Sequence, residues 1–210
     1  MNEWIPKREV LPASTQKALE YARKEHWLEK STWYLAGGTA LALQVGHRQS
    51  VDLDFFTQEK TFAPAEVTRH FPDTVWKSTI VKEGTVYGTL CKAKVSFIAY
   101  PFFIPAVPFL RYGAVAVLDK DDIAVMKIIA LSQRGRKRDF VDLYWYAKHN
   151  APLESVLTKL PRQYPTVAHN FQHIIKSLTY FNDADADQMP ALLFDATWED
   201  IKEYFRAEVP

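Results

Sequence analysis

The segment Ala36 to Phe56, AGGTALALQVGHRQSVDLDFF, constrains this chain more than any other. A Gly-Gly pair leads into a short apolar run, and a strand pattern follows in which Val51, Leu53 and Phe55 alternate with Asp52 and Asp54. Side chains alternate across a strand, so the two aspartates share a face, about 6.6 Å apart, while the apolar residues form the opposite, core face. Two carboxylates on one face repel unless a cation lies between them. A hard divalent ion such as Mg2+ takes oxygen ligands and brings substrate phosphates with it. Gly37 and Gly38 let a phosphate approach the main chain, and Thr39 can cap the next helix or offer its hydroxyl to an anion. Free amides at the start of that helix would hold the anion. The pattern points to a metal and nucleotide site on an α/β framework.

Other polar residues carry weaker signals. His47, at the end of the apolar run, reads as a helix C-terminal or surface residue, and Arg48 as either a phosphate fork or the partner of a carboxylate. Asp121 to Leu131, DDIAVMKIIAL, is a helix opened by two acids that favour its dipole. Lys127 lies inside its apolar body and must snorkel out or meet an anion. The run Ser132 to Arg138, SQRGRKR, holds four basic residues and serves either as a solvated loop or as a grip on a triphosphate or RNA backbone. In the helix that follows, Asp139 and Asp142 are spaced i to i+3 on neighbouring positions of one face. Asp139 can pair with the arginines, whereas Asp142, among aromatics, needs a specific partner. Tyr144, Trp145 and Tyr146 cover all sides of that helix and read as packing.

GGTALAL, HRQSVDLDFF, DIAVMKIIAL and KRDFVDLYW, in this order between Tyr34 and Tyr146, resemble the AbiEii/AbiGii-type abortive-infection toxins, a branch of the polymerase-beta-like nucleotidyltransferase superfamily. The resemblance implies the toxin half of a toxin-antitoxin pair, which transfers a nucleotide from a nucleoside triphosphate with Mg2+ to an acceptor, transfer RNA for some members. It assigns nucleotide contact to Gly37, Gly38 and Ser50, metal binding to Asp52 and Asp54, and a catalytic or phosphate-binding role to Lys127. The carboxylate of the last motif is Asp139 or Asp142. The superfamily's usual third carboxylate is absent, because the matching strand, KAKVSFIAY, holds Ser96 at that position. That departure motivates a second reading, a nucleotide-binding module without turnover; a third is a kinase-like phosphotransferase on the same fold, moving only the γ-phosphate.

The chain of 210 residues, 48% hydrophobic and 24% charged, suffices for one domain or two closely packed subdomains. Its net charge of +1 leaves any RNA binding to local patches. The single cysteine, Cys91, gives neither a disulfide nor a zinc spacing. The charged, proline-bearing Met1 to Lys7 is no signal peptide and no apolar run reaches membrane-spanning length, so the cytoplasm is the expected compartment. The expected order is a helix over Ser14 to Lys30 capped by Ser14, a strand over Thr32 to Ala36, the site segment, and a helix over Pro64 to His70. Strands over Thr74 to Lys82, Thr85 to Leu90 and Lys94 to Tyr100 follow, with Glu83-Gly84 as a hairpin turn. Pro101 to Pro108 reads as an extended connection. Helices are expected over Asp121 to Ser132, Arg138 to His149, Leu153 to Lys159, Thr166 to Lys176 and Asp195 to Phe205, with Asn182 to Asp187 as a solvated loop. A boundary near Val117 to Asp121 then divides the chain into a mixed-sheet, polymerase-beta-like nucleotidyltransferase core over residues 1–120 and a helical C-terminal subdomain over 121–210. The expected class is α/β, of the α+β kind.

Overall fold

Alternation along Leu53–Thr57 sets the frame, because its buried and half-buried residues take turns on the two sides of a central strand. In the computed structural model, which describes residues 4–209, this strand (β2) pairs antiparallel with β1 (Tyr34–Ala36) and parallel with β5 (Ala93–Ala99). The sheet extends on one side through β4 (Thr85–Leu90) to β3 (Trp76–Lys82), and on the other through β7 (Val115–Val117) to β6 (Leu110–Tyr112). The order β3-β4-β5-β2-β1-β7-β6 is therefore a mixed sheet of seven strands among the described residues. A parallel pair needs a long crossover. Between β2 and β5 the chain supplies one, through α4 (Pro64–Thr68) and the β3-β4 hairpin.

The N-terminal helices are α1 (Ala13–Ala22) and α2 (His26–Glu29), and α3 (Gly37–Val45) joins β1 to β2. The C-terminal half is helical: α5 (Lys120–Arg134), α6 (Lys137–His149), α7 (Leu153–Leu157), α8 (Leu160–Gln163), α9 (Phe171–Leu178), α10 (Asn182–Asp185) and α11 (Trp198–Glu208). None of the described helices is long and apolar enough to cross a membrane.

One sheet face is closed by an aromatic core. Phe55 and Phe97, opposite each other in the β2-β5 register, stack at 4.9 Å, and Trp33 meets Phe62 and Phe97 edge-on at 4.9 and 5.1 Å. Such pairs add about 0.5–1.5 kcal/mol each beyond their burial. The other face carries Asp54, Ser96 and Tyr87, which also lie opposite one another across β2, β5 and β4. Period-two alternation thus separates core from site.

Several expectations are corrected. Val51 is 53% exposed and not core, because strand pairing starts only at Leu53, and the Val51 carbonyl instead accepts from the Thr15 hydroxyl at 2.7 Å. The single helix over Ser14 to Lys30 is two helices, and Pro12, not Ser14, precedes the first. It breaks where the Arg23 carbonyl is taken by the Ala114 amide, beneath the β6-β7 turn. That hairpin escaped the sequence reading since its strands have three residues each. The NDADAD segment is not merely a solvated loop. It forms α10, with Asp185 accepting from Trp198 Nε1 at 2.6 Å and Asp187 from the Lys137 amide at 3.1 Å. Asp122, read as a dipole residue, is buried and accepts from the amides of Ala106 and Val107 and from Gln163. It fastens the proline-rich connection to α5.

The two-residue turn between β4 and β5 places Cys91 and Lys92 at φ of 51° and 72°. Turns of this kind suit Asn-Gly, because residues with a Cβ are disfavoured in the left-handed region. The double replacement Cys91→Asn, Lys92→Gly is expected to stabilise the protein by about 1 kcal/mol, visible as a higher urea midpoint at unchanged slope.

Candidate functional site

The C-terminal end of β1 runs directly into α3, so the first amides of that helix open beside the Asp54 carboxylate. Gly37 makes the junction. Its φ of +71° is left-handed, and a Cβ there would lie 3.3 Å from Asp54 Oδ2. Gly38 answers a different need: a Cβ on it would lie 2.2 Å from Arg48 Nη2. The guanidinium fills the space a side chain would take. Thr39 is the third residue of α3 and not its cap; its hydroxyl bonds to Ser50 Oγ at 2.7 Å and to the Asp52 carbonyl. These contacts fasten the start of α3 to the segment that carries the aspartates. Gly38→Ala is expected to displace Arg48 and lower transfer activity at least tenfold while leaving the helix content unchanged, which a rate assay and circular dichroism check together.

A cleft of about 660 Å³ opens over this junction. Gly37, Gly38, Thr39, Arg48, Ser50, Asp52, Asp54 and Lys127 all line it, so the structure brings these sequence-predicted residues together. Asp52 Oδ1 is buried without a hydrogen-bond partner, and its Oδ2 lies 3.7 Å from Arg138 Nη1. Asp54 Oδ1 accepts from the Ser96 hydroxyl at 2.6 Å. Burial pushes the Asp54 carboxyl above its ordinary pKa, the Ser96 bond opposes this, and the nearby Asp52 charge adds to it. An orphaned carboxylate oxygen beside a second carboxylate under electrostatic stress is a donor set that fits a hard divalent cation. Among the described residues no three His, Cys, Asp or Glu side chains could hold a metal by themselves. Phosphate oxygens of a bound nucleotide would complete such a coordination shell.

Behind the cleft lies a buried ionic network. Asp142 is fully buried and accepts from Arg48 Nε at 2.6 Å, Arg48 Nη2 at 2.9 Å and His47 Nε2 at 2.7 Å. Lys127 Nζ bridges Asp142 Oδ2 and Asp139 Oδ1, each at 2.5 Å, and Arg134 Nε reaches Asp139 Oδ2 at 3.2 Å. Burial alone would raise the Asp142 carboxyl, but Arg48 and Lys127 hold it well below the usual carboxylate range. In Asp139, likewise, Lys127 and Arg134 outweigh burial. Both carboxylates have their oxygens engaged, and neither lines the cleft. His47 is buried beside them and is neither a surface residue nor the cap, which is Gly46. Burial depresses its pKa more than Asp142 raises it, so the ring is neutral, donates from Nε2 and leaves a bare Nδ1 in the interior.

The basic run divides. Arg134 and Arg138 line the cleft, Arg136 pairs with Asp187 at 3.2 Å, and Lys137 turns inward to the Asp187 carbonyl at 2.6 Å. The run spans the break between two helices: Arg134 ends α5, Gly135 caps it in the left-handed region, and Arg136 precedes Lys137 and Arg138 at the start of α6. Sequence reasoning missed the far wall, where Tyr87, Thr89 and Lys94 also line the cleft. The signal was present in Thr85–Leu90, whose Val86, Gly88 and Leu90 are buried while Thr85, Tyr87 and Thr89 are not. Tyr144 and Tyr146 pack as expected, the former against Phe194 and Tyr204, the latter donating to Asp121 at 2.9 Å.

An uncharacterized protein of Aquifex aeolicus is 33% identical over 181 residues, covering 84% of this chain and 86% of its own. Two solved structures share the fold. MenT4, a nucleotidyltransferase toxin from Mycobacterium tuberculosis, has a TM-score of 0.57 at 14% identity, over 94% of this chain and 85% of that one. JHP933 from Helicobacter pylori has a TM-score of 0.54 at 16% identity, over 95% and 91%. The family model for the nucleotidyl transferase AbiEii toxin of type IV toxin-antitoxin systems matches residues 24–84 and 94–210. With that match running through the glycine helix, both cleft aspartates and the buried network, the chain belongs to the AbiEii family of nucleotidyltransferase toxins.

Proposed function

We propose that this enzyme uses Mg2+ to transfer a nucleotide from a nucleoside triphosphate to the hydroxyl of an RNA, with transfer RNA as the first candidate acceptor. The observation that carries the reading is the buried, unpartnered Asp52 Oδ1 next to Asp54, at the amide-rich start of α3. Asp52 and Asp54 would hold the metal, which when bound neutralises charge on the triphosphate. The amides of Gly37 and Gly38, with Ser50, would seat its phosphates. Lys127 and Arg48 add fixed positive charge, and Arg134 and Arg138 close the side of the cleft. Asp139 and Asp142 act as positioning residues, since carboxylates locked by arginine and lysine below the usual range are poor proton acceptors.

In the reaction the acceptor oxygen forms a bond to the α-phosphorus, the bond from that phosphorus to the leaving pyrophosphate breaks, and the hydroxyl proton passes to water. The family's type IV toxin-antitoxin description supports a cognate antitoxin as partner, and the supply of nucleotides and RNA supports action in the cytoplasm. Incubation with each α-labelled nucleoside triphosphate and total RNA, with Mg2+ or with EDTA, tests the proposal. Label should enter RNA only with Mg2+. Transfer of γ-label instead would establish the kinase-like reading. Saturable nucleotide binding without label or pyrophosphate would favour the non-catalytic module, for which Ser96 in place of a third carboxylate speaks.

A further inference from the structure

The sheet register divides the cleft into two sides about the aspartates. On the β1 side of Asp54 stand the α3 amides, suited to phosphate, with the Arg48 guanidinium against Gly38 and Lys127 joined to it through Asp142. On its other side the register runs from Asp54 to Ser96, then Tyr87, then Ile80, across β5, β4 and β3. Neighbouring strands are about 4.8 Å apart, which sets Tyr87 two strands, roughly 10 Å, from Asp54 on the same face. In an in-line displacement the attacking and leaving oxygens lie on opposite sides of the transferring phosphorus. With the triphosphate held on the β1 side, the second reactant enters over β5, β4 and β3.

That surface has the composition of a single-strand binding face. Tyr87 is 39% exposed and lines the cleft, as does the exposed Lys94, two residues before Ser96 on the same face of β5. Lys94 is opposite Thr89, which in turn is opposite the exposed Lys77 of the edge strand, so two cations and one aromatic lie along one path. Bases stack on such an aromatic irrespective of sequence, while lysines track the backbone phosphates. Resting on the nucleotidyltransferase reading above, we infer that the β3-β4-β5 face is the acceptor site. It receives the unpaired 3′ end of an RNA, with a terminal base stacked on Tyr87 and the preceding phosphates on Lys94 and Lys77. Neither base stacking nor phosphate pairing demands a duplex.

Fluorescence anisotropy with a labelled RNA hairpin bearing an unpaired 3′ end, and with the same hairpin blunt-ended, tests the site without requiring turnover. The wild type should prefer the overhang. Tyr87→Ala should weaken its binding by about five- to a hundredfold, the range of one lost base stack, whereas Tyr87→Phe should stay near wild type. Lys94→Gln should weaken binding and flatten its salt dependence by about one phosphate contact. Nucleotide binding should be unchanged in all three variants. If wild type and Tyr87→Ala bind the overhang equally, if Tyr87→Ala instead weakens nucleotide binding, or if label transfers to a protein acceptor and not to RNA, the inference is overturned. Overhang binding that depends on Tyr87 in a protein that transfers no nucleotide would sink the catalytic reading and leave this surface standing.

Discussion

Asp142→Ala should destabilise the protein by about 3–5 kcal/mol, the range for removing one partner of a buried ion pair. The substitution strands three buried groups at once: the Arg48 guanidinium loses both forks, Lys127 keeps only Asp139, and His47 loses its acceptor. A small cavity adds to the cost. Asp142→Asn keeps the shape and one acceptor oxygen but loses the charge, so it should fall between alanine and wild type. Urea unfolding measures both. A loss under about 1 kcal/mol for Asp142→Ala would mean that Arg48 and Lys127 find water or another anion, a modest cost typical of exposed pairs. The same network sets the response to acid. Asp142 binds its proton more weakly folded than unfolded, so its stabilisation is complete above the ordinary carboxylate range and is lost as pH falls toward the folded value. His47 is also depressed when folded, so protonation of the unfolded chain below its ordinary value, about 6.5, draws stability down further. The contribution of this network should therefore rise from acid pH to neutrality and level off there, and urea midpoints of the wild type and Asp142→Asn across that range isolate the Asp142 part of that slope from the opposing contribution of the raised Asp54.

The largest loss of activity is expected at the cleft aspartates. Asp52→Asn and Asp54→Asn should each lower kcat on the order of 1000-fold, several kcal/mol of transition-state charge stabilisation. Their effects on folding should differ from those at Asp142 in sign. Asp52 Oδ1 is an unpartnered buried oxygen and Asp54 is pushed toward its protonated form, so neutral asparagine relieves repulsion and should leave stability equal or slightly raised. A variant that is stable yet inactive separates chemistry from structure. Rate assays at saturating nucleotide, paired with thermal midpoints, read both quantities. Full activity in Asp52→Asn would remove the metal role assigned to that residue. Ser96→Asp extends the test. A third carboxylate beside Asp54 should make the metal-free protein less stable and raise the stabilisation that added Mg2+ produces, which a melting series with and without Mg2+ would show.

Much of the fold was legible because it rests on local rules. The hairpin at Glu83-Gly84, the three strands from Trp76 to Ala99 and the two long helices from Lys120 to His149 follow from alternation, turn residues and apolar periodicity. The Gly-Gly helix and the strand that carries Asp54 were legible for the same reason, each following from its own backbone geometry, whereas Asp52 lies one residue ahead of the strand expected to hold it. Short elements were harder. The strands of β6 and β7 have three residues each, and α10 has four, so their pairing and packing partners decide them and local propensity does not. The helix break after Ala22 likewise depends on Ala114, far along the chain.

The candidate site shows the same division. Asp52, Asp54 and the two glycines were singled out as candidates from spacing, since alternation and the start of a helix are properties of neighbouring residues, although Asp52 itself precedes the strand. What Gly38 is for was not. Its missing Cβ makes room for Arg48, and Arg48 is held by Asp142 from 94 residues away. His47 looked like a surface residue and lies in the interior for the same cause. The sequence by itself determined which residues carry charge, which can bend, and which alternate onto a shared face. Only the tertiary structure decided which charges neutralise one another, because ion pairing and desolvation depend on separation in space, and chain folding brings Asp142 to Arg48 and Tyr87 into line with Asp54.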